Sequence, residues 1–346
     1  MSASSEPQPP VRAPLWKRLL QNLALMTVTF VLCFVVLEVA LRLAGYGNVE
    51  IYEPDPQLYW RLKPNQDCYT KIDHKPVHIN AHGTRGPDFT DAKPPGTYRI
   101  LSLGDSRTFG WGLTEAESYS GLIEEMLQEH VGKGRRIEVI NAGVNAWSYA
   151  QMYVYFRDYG LKYHPDVVIL AEANLWTQFS ENNSPEFVKS FMRRVWLKNF
   201  LRRFALYHYI VEYKLKELYE RQRVRFIPVD PKQDTMFKEE QAKDPDAFFR
   251  EYIERLCSLA RSNNVQPVLL HLPTLQQMET PESDNVLRVK SAVSEQLDVP
   301  QVDLTLELKP KGKELYLEGD PVHLNVAGNL IIAQRLYTTL TNLVTP

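Results

Sequence analysis

Five short apolar runs, at 98–103, 137–141, 167–171, 268–272 and 301–304, limit most strongly how this chain can fold. Helical periodicity fills the intervals at 118–130, 150–159, 246–262 and about 282–297, and a last helical pattern runs from about 325 to 343. A short continuous apolar run bounded by turn residues fits a strand buried on both faces. Strands alternating with helices build a parallel sheet covered on both sides, and such sheets hold ligands at the carboxyl ends of their strands. The expectation is one α/β domain over 97–346. With 44% of its 346 residues hydrophobic, the chain has enough apolar material for one large core.

An apolar stretch ahead of the sheet is of another kind. Residues 1–18 read as a Ser- and Pro-rich disordered tail on the cytoplasmic side. Residues 19–44 then form a run whose centre, 23–37, carries no charge. As a helix it is roughly 39 Å long, enough to cross a bilayer. Glu38 and Arg42 lie four apart and can pair near the headgroups. Arg12, Lys17 and Arg18 precede the run, which favours a cytoplasmic N-terminus. No small-x-small cleavage site follows it, and a buried soluble helix needs no basic flank. The reading is a single-pass anchor in the cell membrane, with the remainder on the extracytoplasmic side, periplasmic or extracellular.

Residues 45–96 read as a Pro-rich stem that wraps the domain, with short strands near 69–72 and 77–79 and a tight loop at 80–87. Within that loop Arg85 either contacts an anionic substrate or pairs with an acid and pins the loop. Residues 178–245 interrupt the strand–helix alternation. Their stretch 185–225 mixes basic residues such as Arg193 and Arg203 with aromatics such as Trp196 and Phe200. A lid, a contact with anionic lipid and a solvated basic face all fit this pattern. Cys68 and Cys257 are either bridged or separate thiols, and no metal-ligand spacing is present. The net charge of −2 gives no bulk attraction to nucleic acid.

The first apolar run ends in Gly104-Asp105-Ser106. A serine at a strand-to-helix turn projects its hydroxyl from the sheet edge, although Asp and Ser also suit an ordinary capped turn. Three further places fall at strand ends or before a helix: Asn141-Ala142-Gly143, Glu172-Ala173-Asn174 and Asp320-Pro321-Val322-His323. A serine hydroxyl needs a base, and His323, with an unperturbed imidazole pKa of about 6.5, suits that task. Asp320, three residues earlier, is spaced to hold Nδ1–H while Nε2 faces Ser106. The backbone N–H groups of Ser106 and Gly143 and the side-chain amide of Asn174 are candidate donors for an oxyanion. Each residue alone has a plainer role as a cap, a turn or a helix entry.

Together, and in this order, the four blocks resemble the SGNH hydrolases, also called GDSL esterases. The resemblance spans about 98–344 outside the basic insertion, and the 80–87 loop and leading anchor are similar to those of membrane-tethered members. It implies a flavodoxin-like three-layer sandwich and a serine esterase that acts on an O-acyl or O-acetyl ester through an acyl-enzyme. It also implies Ser106, Asp320 and His323 as the triad, and Ser106, Gly143 and Asn174 as the oxyanion hole. No metal or cofactor is called for. The same residues serve acyl transfer to an extracytoplasmic glycan beside a membrane acyltransferase. A catalytically silent anchored binding or assembly protein is the reading from another class. The substrate expected is an ester or acylated glycan or lipid. The third block departs from the family's Gly-x-Asn-Asp: Glu172 replaces the glycine and Leu175 the aspartate. Glu172 either meets Arg107 or faces the substrate, and both are candidate substrate-binding residues.

Overall fold

The structure is a computed structural model and describes residues 14–49, 52–70, 75–132, 134–173, 177, 179–181, 183–215, 244–280 and 284–344. The first helix, α1 (Leu15–Leu43), begins four residues before the apolar run, directly after Pro14. Proline is tolerated at a helix entry because the first N–H groups have no partner inside the helix. The helix is long and apolar enough to cross a membrane, and its apolar side chains are exposed along most of its length. Glu38 and Arg42 pair at 2.8 Å near its end.

Two short antiparallel hairpins follow. They are β1 (Tyr52–Asp55) with β2 (Tyr59–Leu62), and β3 (Gln66–Tyr69) with β4 (Pro76–Ile79). Of the expected strand at 69–72, Tyr69 ends β3, and residues 71 and 72 lie outside the described residues; the first hairpin was not expected. Each strand has four residues, too few for a period-two pattern to show in the sequence. The Arg85 N–H donates to Asn141 O at 3.0 Å, which ties the 80–87 loop to the edge of the main sheet. Arg85 is buried and takes the second of its two readings. It pairs with Glu115 at 3.0 Å and donates to the carbonyls of Phe109 and Gly110.

The main sheet has the strands β5 (Thr97–Gly104), β6 (Arg136–Gly143), β7 (Val167–Leu170), β8 (Gln266–His271) and β9 (Gln301–Asp303). Their order is β6-β5-β7-β8-β9, and every pair is parallel. This second-first-third-fourth-fifth order is flavodoxin-like, and its switch point lies at the carboxyl end of β5. Side chains alternate across the strands. Leu101, Leu103, Val168 and Leu269 pack beneath α4 (Tyr149–Asp158), α7 (Pro245–Ser262) and α9 (Asn285–Leu297). On the other face Ile100, Ile169, Val268 and Leu270 pack beneath α3 (Tyr119–His130) and α11 (Val326–Val344). The sheet between two helical layers is the expected three-layer sandwich.

The insertion is less continuous than its composition suggests. Helix α5 (Pro185–Arg202) stops at Arg203, and Phe204 is extended. A short turn, α6 (Ala205–Tyr207), then leads into a π-helical segment, His208–Lys214. Residues 216–243, the rest of the expected basic stretch, and residues 1–13 lie outside the described residues. Cys68 and Cys257 are separate buried thiols, not a bridge. Burial pushes the Cys257 thiol up to about 12.

Candidate active site

The chain turns sharply at the end of β5 because it has no room to do otherwise. A Cβ on Gly104 would lie 2.0 Å from Thr108 Oγ1, so only glycine lets the strand meet the next turn this closely. Asp105 caps that turn, α2 (Ser106–Phe109), by accepting from the Arg107 N–H at 2.9 Å, and Gly110 closes it at φ +83°. The Asp105 N–H donates to Glu172 O at 2.8 Å, which holds the turn to the end of β7. Ser106 therefore starts a braced turn at the switch point of the sheet.

His323 arrives from the turn before α11. The Asp320 Oδ1 accepts from the N–H groups of Val322 and His323, at 2.8 and 3.1 Å. The Asp320 Oδ2 lies 2.7 Å from His323 Nδ1. On the far side of the ring, His323 Nε2 lies 2.7 Å from Ser106 Oγ. Burial works against the Asp320 charge. The His323 ring and the two amides outweigh it and hold the carboxyl below its ordinary range. Trp111 stacks on the imidazole with ring centroids 5.6 Å apart. The sequence reading missed Trp111, whose one signal is its place between Gly110 and Gly112, both at positive φ. A small cavity beside His323 is lined by Arg107, Trp111 and Leu324.

No protein-family model and no curated protein matches the chain. Solved structures do. One is a putative lipolytic protein of the G-D-S-L family from Desulfitobacterium hafniense DCB-2, at 15% identity and a TM-score of 0.42, over 70% of this chain and 99% of that one. A second is a catalytic mutant of Axe2, an acetylxylan esterase from Geobacillus stearothermophilus, at 15% identity and a TM-score of 0.46, over 70% and 93%. A third is the lipase/acylhydrolase from Enterococcus faecalis, at 14% identity and a TM-score of 0.44, over 71% and 96%. Each is a protein to which this chain is similar at low identity.

Against the SGNH pattern, the donor side of the site differs from expectation. Gly143 sits at the end of β6, opposite Gly104, but its N–H already donates to Asn141 Oδ1 at 3.1 Å. Its need for glycine is a packing matter: a Cβ there would lie 2.2 Å from Phe109 N. Three residues on, Ala146 holds the left-handed conformation at φ +66°, and among the described residues its N–H has no acceptor. The Ser106 N–H has none either. Both follow the carboxyl ends of neighbouring strands, so the Ala146 amide, not that of Gly143, is the geometric candidate for the second donor. An alanine gives no sequence signal for positive φ. Asn174, the third expected donor, lies outside the described residues.

Left-handed backbone costs an alanine about 1–2 kcal/mol. The change Ala146→Gly should therefore raise stability by about 1 kcal/mol in thermal melts, while the amide and the activity remain.

Arg107 and Glu172 are also reassigned. Arg107 lines the small cavity, yet its guanidinium is committed. It pairs with Asp105 at 2.7 Å and donates to Leu272 O at 3.0 Å. Glu172 is 2% exposed and faces no substrate. Its Oε1 accepts from Lys290 Nζ at 2.7 Å and lies 2.8 Å from His271 Nδ1, and the Tyr149 hydroxyl donates to Oε2 at 3.2 Å. His271 Nε2 faces Asp284 at 3.1 Å. Glu172 thus belongs to a buried ionic cluster beneath the turn that carries Ser106. Its neighbours His271, Asp284 and Lys290 are scattered along the chain, and no spacing announces them.

Proposed function

We propose that this chain is a membrane-anchored serine esterase that cleaves an O-acyl or O-acetyl ester through an acyl-enzyme. The observation that carries the reading is the unbroken relay from Ser106 Oγ through His323 to Asp320, with 2.7 Å at each step. In the proposed cycle His323 Nε2 takes the Ser106 proton as Oγ attacks the ester carbonyl. The Asp320 carboxylate holds the ring by Nδ1 and stabilises the imidazolium. The amides of Ser106 and Ala146 and the side chain of Asn174 receive the oxyanion. Collapse expels the alcohol, which takes the proton from His323. Water, deprotonated by the same imidazole, then releases the acid and restores Ser106.

Helix α1 supports the anchoring half of the proposal. Lys17 and Arg18 at its start favour a cytoplasmic N-terminus, which leaves the domain on the extracytoplasmic side. A reporter fused to the C-terminus, active only outside the cytoplasm, should be active, and one active only in the cytoplasm should not.

The test of the chemistry is a fluorophosphonate probe on the purified full chain, beside hydrolysis of p-nitrophenyl acetate. Labelling should occur at Ser106 and be lost in Ser106→Ala. Asp320→Asn should keep the label but lower turnover by about 10²–10⁴-fold, because the ring loses its orienting charge. A chain that labels but does not hydrolyse esters points to acyl transfer, and a chain that does neither is a silent module.

A further inference from the structure

The insertion is joined to the end of α1 in a way that the esterase reading does not use. Glu38 stands in the last turns of the helix. Its Oε1 accepts from Arg42 Nε and from the Ala205 N–H, both at 2.8 Å, and its Oε2 accepts from the Leu206 N–H at 3.0 Å. The first amides of α6 thereby cap a carboxylate that would otherwise be stranded near the bilayer. Arg42 Nη2 donates to Arg203 O at 2.6 Å, and the Gly47 N–H donates to His208 Nδ1 at 2.9 Å. Residues 203–208 are therefore held at the depth of the last turns of α1.

A ladder of rings continues outward from the same place. Phe34 meets Phe204 with centroids 5.7 Å apart, Phe204 meets Phe200 at 5.7 Å, and Phe200 stacks on Trp196 at 6.1 Å. Phe34 lies nine residues before the end of α1, about 14 Å along its axis. The ladder thus starts at hydrocarbon depth and ends on an exposed face of α5. Trp196 is 61% and Phe200 45% exposed. Lys189 and Arg193 precede them at helical spacing, on the same face and exposed. Beyond α6, Ile210, Val211 and Leu215 are also exposed. Aromatic side chains beside basic ones on one helix face match the boundary between headgroups and acyl chains, and the basic side chains match anionic lipid.

We propose that α5 and the segment 204–215 lie in the headgroup layer of an anionic bilayer, so that the domain is docked on the membrane at a fixed orientation and not merely tethered to it. Lipid is the occupant because the face is continuous with a helix fit to span the bilayer, and because Lys189 and Arg193 outnumber Glu186, the one exposed acid among its described residues. The inference rests on the anchoring reading but not on the esterase chemistry.

The test uses the full chain in lipid nanodiscs of phosphatidylcholine with and without phosphatidylglycerol. Nitroxide lipids carry the quencher either near the headgroup or at the chain end. Trp196 is read as the difference between the wild type and Trp196→Phe. Its emission should be quenched most by the headgroup-proximal nitroxide, and more strongly in the anionic discs. Lys189→Glu with Arg193→Glu should abolish the extra quenching in anionic discs. Emission from Trp196 that is quenched by acrylamide and not by lipid would overturn the proposal and leave the face for a protein. Equal quenching with and without phosphatidylglycerol would overturn its anionic part. Extraction of native membranes at alkaline pH keeps the anchor separate: release of the chain overturns the anchor and the docking together, whereas retention with a lipid-inaccessible Trp196 overturns the docking alone.

Discussion

The single changes Ser106→Ala and His323→Ala should each remove roughly 10⁴–10⁶ of the esterase rate, and the double change should cost little more than either alone. The reason is the relay itself. In the proposed mechanism the imidazole, whose Nε2 lies 2.7 Å from Oγ, contributes by taking the serine proton, and without the hydroxyl it would have nothing to activate. Multiplying losses would mean two independent contributions and would remove the relay as the mechanism. Hydrolysis of p-nitrophenyl acetate by the four proteins, with the uncatalysed rate subtracted, decides between these outcomes. Ser106→Ala removes no charge partner, and in His323→Ala the Asp320 carboxylate keeps the backbone amides of Val322 and residue 323, so circular dichroism should show both variants folded.

The largest stability effect is expected from Lys290→Met. The side chains of Lys290 and His271 are fully buried and that of Glu172 nearly so, and Lys290 also donates to Ala171 O and Leu270 O. Burial alone would raise the Glu172 carboxyl. Lys290 and His271 reverse this and hold it well below the ordinary range. Removing the ammonium leaves that carboxylate with His271 and two neutral donors, the Tyr149 hydroxyl and the Leu272 N–H, and breaking a buried pair on one side costs about 3–5 kcal/mol. Urea unfolding should show a loss of that size. Glu172→Leu with Lys290→Met should recover much of it, since two apolar side chains leave no stranded charge. A loss under about 1 kcal/mol in the single variant would mean that the cluster is not a stabilising device.

The same cluster gives stability a pH dependence with a definite sign. Glu172 and Asp284 are held below their ordinary values, so their contribution is complete above about pH 4 and drains away as pH falls through the folded values. Burial works against the charge of His271, but Glu172 and Asp284 raise it. Its contribution is complete below about pH 6.5 and is lost as pH rises through the folded value. Burial lowers Lys290, whose penalty is present across this whole window. Within this cluster, the strongest support lies between about pH 4 and pH 6.5.

Much of the framework was legible because it is written in local patterns. Continuous apolar runs bounded by turn residues marked the five strands of the sheet, and helix periodicity placed α3, α4, α7, α9 and α11 to within a few residues. Gly104, which admits no Cβ, and Asp105, which caps α2, announced the turn that carries Ser106. Asp320 and His323 are neighbours in sequence, so their bond could be expected from spacing alone. The first hairpin was not legible, because four-residue strands are shorter than the period that would reveal them.

What the sequence determined by itself was the set of elements and the residues standing at their ends: a parallel sheet, an apolar leading helix, and Ser106, Asp320 and His323 at turns. Tertiary structure alone decided which groups are free to act. Gly143 and Ala146 stand three residues apart, yet Asn141 occupies the amide of the first, while among the described residues that of the second has no acceptor. Glu172, at a position that suggested substrate, was drawn into the core by Lys290 and His271, which lie more than a hundred and about a hundred residues away. The ring ladder from Phe34 to Trp196 joins segments farther apart still. Local periodicity reports how a segment folds on itself. The partner that a buried charge or an exposed ring finds depends on how the layers pack, and that is set by the whole chain at once.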